Sequence, residues 1–173
     1  LTTDRQRVAD RIADIRAGGG TNIIDAIFES VYYLGMVAPD RRRAVILISD
    51  NQATVRPRAS EAQSIRMALE TETVVYSIKT SGERMPVTMR IPNLLMGAGS
   101  VSKITEETGG EIIDMTGLGS ISAALDTALS RLRMRYTLGY CPAEPFRDRS
   151  FRGIEVRLGE RFGQPGADYT VHA

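Results

Sequence analysis

Tryptophan is absent from the sequence, and cysteine and histidine occur once each, as Cys141 and His172. A single thiol rules out an internal disulfide and a cysteine-based zinc cage. With its one imidazole next to the C-terminal residue, the chain is poorly equipped for Ser-His-Asp or Cys-His nucleophilic chemistry. No apolar run approaches the roughly 18 to 20 residues that span a bilayer, and nothing near the first residue has a signal-peptide pattern, so we expect a soluble chain without membrane insertion. An excess of charge is missing too. The 22 basic and 21 acidic side chains leave a formal net charge of +1, which gives no pull toward nucleic acid or an anionic surface. The first residue is Leu1 rather than Met, so we expect a processed product or a piece of a longer protein.

What is present is an ordinary globular composition. At 173 residues, 42% hydrophobic and 25% charged, the chain is long enough to bury one core as one domain. The densest basic cluster, Arg41-Arg42-Arg43, directly precedes an apolar segment, and we read it as the solvated start of a strand rather than a phosphate patch.

Periodicity sets the order of elements. Val8, Ile12 and Ile15 share one face of a helix over residues 4–16, which Gly18-Gly19-Gly20 stops. Asn22-x-x-Asp25 resembles a capping box and opens a second helix, with Ile24, Ile27, Phe28, Val31 and Leu34 at helical spacing and an end near Gly35. Ala44 to Ile48 is a continuous, β-branched run, as in a parallel strand buried on both faces. Ser60-x-x-Gln63 starts a helix that turns Ile65 and Leu69 inward, before a second buried strand from Thr73 to Ile78.

A loop rich in Gly, Pro and Met runs from Lys79 to about Met96. A short helix closed by Gly109-Gly110 in a left-handed cap follows, then a short strand at Ile112-Ile113. A helix from Ile121 to Met134 buries Ile121, Leu125, Ala128, Leu129 and Leu132. Tyr136 to Tyr140, Ile154 to Leu158 and Tyr169 to Val171 read as later strands, the last two forming an antiparallel edge. This order predicts an α/β fold: a doubly wound, mainly parallel, Rossmann-like sheet with helices on both faces and an antiparallel C-terminal hairpin. We expect the domain to occupy residues 1–141 and the C-terminal β extension residues 142–173. Ligands in such sheets bind at the carboxyl ends of the strands, which directs attention to Asp50 and the 79–96 loop.

Three segments carry a resemblance. Arg16 to Ile27, with its Gly-Gly-Thr-x-x-x-Asp-Ala turn, resembles bacterial von Willebrand factor A-type domains. Ala44 to Asn51 looks like their central strand, which usually ends Asp-Gly. The tail from Arg131 to Leu158 is similar to the C-terminal signature of a bacterial (acidobacterial) subgroup. The resemblance implies a protein-binding or adhesion module without catalysis of its own. It also implies a metal-ion-dependent adhesion site in which Thr21 and Asp50 are oxygen ligands of Mg²⁺, or of Mn²⁺ or Ca²⁺. Mg²⁺ would be held at about 2.1 Å with several retained waters, and a partner's carboxylate could complete the shell. Domains of this kind are often exported, so an extracytoplasmic location is expected.

The sequence departs from the pattern in one respect: it contains no Asp-x-Ser-x-Ser loop. The resemblance places that loop, and three strands, upstream of Leu1. The edge so exposed leads us to expect a homo-oligomer or exchanged strands. Asn51 replaces the usual Gly, and its tolerance of positive φ keeps the turn open to it.

Other readings stand beside these. Thr21 and Asn22 can cap a helix, and Asp25 can satisfy first-turn amides or meet a partner, as can Asn51. Gly18 to Thr21 leads into a helix N-terminus that favours anions, yet it lacks the Lys of a phosphate-binding loop. Met85 and Met89 belong to an apolar set that either adapts to another protein or folds back over the sheet edge. A metal-free scaffold that joins domains or subunits is the main alternative function, and a flavodoxin-like or hydrolase-type enzyme a remote one.

Overall fold

A computed structural model describes residues 1–16, 18–80, 101–115 and 119–134. Five helices and three strands alternate in the order α1 (Arg5–Ala13), α2 (Ile23–Val37), β1 (Arg43–Ser49), α3 (Glu61–Glu70), β2 (Thr73–Lys79), α4 (Val101–Glu107), β3 (Ile112–Asp114) and α5 (Ile121–Met134). The strands form a parallel sheet in the order β1-β2-β3. Along β1 and β2 the register runs unbroken from Arg43 opposite Thr73 to Ser49 opposite Lys79. Among the described residues the fold is therefore α/β with a three-stranded parallel sheet. The later strands expected from Tyr136 onward, and Met85 and Met89, lie outside the described residues. Among the described residues no helix is long and apolar enough to cross a membrane.

Alternation along β2 divides the core. Val75 joins Ile23, Ile24, Ile27 and Val31 of α2, Ile65 and Ala68 of α3, and Val101 and Ile104 of α4. Val74, Tyr76 and Ile78 point the other way and meet Ile113, Ala124 and Ala128. Helices thus cover both faces of β2, whose residues from Thr73 to Ile78 are all buried. Each fully buried Ile or Val contributes roughly 1.5–3 kcal/mol by leaving water.

Local signals start the helices where the sequence places them. At α3 the Ser60 hydroxyl accepts from Gln63 N–H at 3.2 Å while the Gln63 side chain accepts from Ser60 N–H at 2.7 Å, closing a capping box. After α4, Gly109 adopts φ +72°, the left-handed conformation that ends the helix.

β1, expected to be buried on both faces, is only half-buried, with Ile48 exposed. Four further expectations need correction. α2 continues through Gly35 to Val37 and stops at Ala38, because the next residue is Pro39 and disfavours helix before it. Gly35 serves packing instead: a Cβ there would lie 2.6 Å from Thr71 Cγ2. α1 forms as an amphipathic helix, but it buries no residue, and Val8, Ile12 and Ile15 stay exposed. In α3 and α5 the deepest positions belong to small residues, Ala68, Ala124 and Ala128, which let the helices approach the sheet. Leu69, Ile121 and Leu129 remain largely exposed.

The fourth correction concerns Arg43. Arg41 and Arg42 are solvated, but the Arg43 side chain is only 8% exposed. Its guanidinium donates to Ala38 O at 2.8 Å, to Pro39 O and to Thr71 O, and so satisfies carbonyls at the C-terminal ends of α2 and α3. Helix C-termini carry partial negative charge, and a cation there is favoured twice over.

Candidate functional site at the carboxyl rim

All three strands end at one edge, since they are parallel, and the turn before α2 reaches the same edge. Thr21 O accepts from Thr54 N–H at 2.9 Å and Val55 N–H at 3.1 Å, and Thr21 N–H donates to Thr54 Oγ1 at 2.7 Å. The loop that follows β1 is thereby fastened to the turn that starts α2. Gly20 permits the approach, because a Cβ there would sit 2.2 Å from Val55 Cγ2.

Asp25 makes the second fastening. Its carboxylate accepts from Arg58 N–H at 2.9 and 3.0 Å, from Ala59 N–H at 2.8 Å and from Asn22 Nδ2 at 2.6 Å. The Arg58 amide, then the Ala59 amide, hold this carboxyl below its ordinary value against a smaller opposing effect of burial. Both oxygens are engaged by the chain itself, by two amides of the 50s loop and by the side chain of the N-cap Asn22. Asp25 is thus a clamp across the rim.

Asp50 and Asn51 form the turn at the end of β1. Asp50 Oδ1 accepts from Gln52 N–H at 3.0 Å, an Asx turn that fixes the carboxylate against its own loop. Asn51 stands at φ +60°, the left-handed conformation its side chain tolerates. Its N–H donates to Ser49 Oγ at 3.1 Å, and its Oδ1 accepts from Ser77 Oγ at 2.9 Å, which ties the turn to β2. Asn51 Nδ2 is buried and meets no acceptor among the described residues.

Thr21 and Asp50 therefore share one rim, on two loops joined by main-chain hydrogen bonds. A hydroxyl and a carboxylate are hard oxygen donors of the type that Mg²⁺ prefers. Among the described residues no three His, Cys, Asp or Glu side chains come together as a metal cage. The fit is thus one of donor type, with the remaining ligands left to water or to another segment. Sequence reasoning missed Thr54, Arg58, Ala59 and Ser77. Only Ser77 left a trace, as a small polar residue inside an otherwise apolar strand. No protein-family model, no curated protein and no solved structure matches the chain.

Proposed function

We propose that this chain is a protein-binding module of the von Willebrand factor A kind, whose contact surface is the carboxyl rim and whose Thr21 and Asp50 contribute to a divalent-cation contact site. The observation that carries this reading is the fastening of the loop after β1 to the turn before α2, which keeps the two oxygen donors on one rim. A cation with an open coordination position at such a rim accepts a carboxylate from another protein, and no proton transfer or covalent step is needed. The doubly wound architecture belongs to the same proposal. Its support is the placement of α5 on the face opposite α2, α3 and α4.

The test is thermal unfolding with Mg²⁺ or Mn²⁺ against chelator, on the natural sequence and on Asp50→Ala and Thr21→Ala. Binding to the folded state at a hundred times Kd stabilises by about 2.7 kcal/mol, so the melting temperature should rise in the natural sequence and stay level in both variants. An unchanged melting temperature in the natural sequence sinks the metal-dependent reading and favours the metal-free scaffold. Turnover of small phosphoesters by the purified chain would instead make it an enzyme.

A further inference from the structure

The loop after β1 is held at successive points from Asp50 to Ser60. Asp50 Oδ1 closes its turn on Gln52 N–H, Ala53 packs against the core under α2, and the amides of Thr54 and Val55 donate to Thr21 O. Arg58 and Ala59 then donate to Asp25, directly before Ser60 caps α3. Both anchors belong to one helix end, since Thr21 precedes the N-cap of α2 and Asp25 lies in its first turn.

The two anchors differ in strength. At Thr21 the groups are neutral, whereas at Asp25 a carboxylate meets two amides, and charge-assisted bonds are roughly twice as strong as neutral ones. Asn22 aims that carboxylate, donating from Nδ2 to Asp25 Oδ2 at 2.6 Å while its own Oδ1 accepts from Asp25 N–H at 3.3 Å. Only Arg56 and Pro57 separate Val55 from Arg58, and proline fixes φ, so movement at Arg58 is passed on to Val55 and Thr54. Only Ala53 separates Thr54 from the Asp50 turn. A site whose donors stand on two loops binds in proportion to the fraction of molecules in which both are in place. On the divalent-cation reading of the rim, we propose that Asp25 is a positioning residue for that contact site: through the loop after β1 it keeps Asp50 in place relative to Thr21, and it does not itself ligate the ion. A coupling of this kind is reciprocal, so the ion must in turn tighten the Asp25 anchor.

The test is amide hydrogen exchange and Mg²⁺ calorimetry on the natural sequence and on Asp25→Asn. In chelator, Asp25→Asn should speed exchange about tenfold at Thr54 and Val55, whose amides do not bond to Asp25, within the roughly 5–150-fold range usual for coupled sites. Ala38 and Thr71, which close the far ends of α2 and α3, should change less, because a general loss of stability would raise all four alike. The Mg²⁺ affinity of Asp25→Asn should fall about tenfold as well. In the natural sequence Mg²⁺ should slow exchange at Arg58 and Ala59, a measurement that needs no variant if Asp25→Asn fails to fold. Faster exchange at Arg58 and Ala59 alone, no slowing there by Mg²⁺, or an unaltered Mg²⁺ affinity in Asp25→Asn overturns the positioning role and leaves the cation site standing. A natural sequence that binds no Mg²⁺ overturns both.

Discussion

Asp25 and Asn51 show how single side chains hold the rim, and each leads to a measurable outcome. The Asp25 carboxyl is depressed by the amides of Arg58 and Ala59. Its contribution to stability is therefore complete above the unfolded value near 3.8 and is lost as pH falls through the lower folded value. Asp25→Asn keeps the shape but turns an amide NH₂ toward amide donors. Its melting temperature should fall below that of the natural sequence at neutral pH, and the difference should shrink as the pH drops below about 4. A difference independent of pH would show that the charge plays no part. At position 51, Ala keeps the unfavourable φ of +60° and loses the bond to Ser77, so Asn51→Ala should cost about 1–3 kcal/mol in chemical denaturation. Asn51→Gly relieves the backbone while still stranding Ser77 Oγ, and should cost less. The reverse order would mean that the left-handed backbone at position 51 does not disfavour a side chain.

Glycines that look alike in the sequence play different parts once the elements pack. Gly110 lies against β2, and a Cβ there would be 2.0 Å from Val75 O, a main-chain atom that cannot step aside. Gly110→Ala should destabilise by about 3 kcal/mol, the upper range for overpacking. Gly35 faces Thr71 Cγ2 at 2.6 Å, and the Thr71 hydroxyl is held by Met67 O and Thr73 Oγ1, so Gly35→Ala should also destabilise, but less than Gly110→Ala, because Ala in a helix gains about 1 kcal/mol over Gly. Equal losses at both positions would contradict this account. The contrast also marks what was legible. Apolar spacing or apolar runs marked every described element but α4, which was marked only by the Gly109-Gly110 that closes it, and Ser60 set the start of α3. The same periodicity misassigned Leu69, Ile121 and Leu129 to the interior. A repeating pattern shows which face seeks cover, but how close the neighbouring element comes decides whether Leu or Ala sits deepest. Thr21 and Asp50 were brought to the rim by a resemblance and a strand end. The contacts that fasten the rim, Thr54 on Thr21, Arg58 and Ala59 on Asp25, and Ser77 on Asn51, join residues distant in sequence and follow no local rule, so they became visible only in three dimensions.

Across the molecule, burial falls off steeply from β2 outward, and stability to local opening should follow it. β2 is covered on both faces and paired on both edges, by β1 along its length and by β3 near its carboxyl end. Even the N–H of Val75 is served, by the buried hydroxyl of Thr108 at 3.2 Å. At the other extreme, α1 buries nothing and is held by its own hydrogen bonds and the Asp4 cap on Arg7 N–H at 3.1 Å. Isolated helices shorter than about 12–15 residues are marginal in water, and α1 has 9. Hydrogen exchange should therefore find the slowest amides in β2 from Val74 to Ile78 and the fastest helical amides in α1. Slow exchange throughout α1 would mean that its apolar face, Val8, Ile12 and Ile15, is covered in solution.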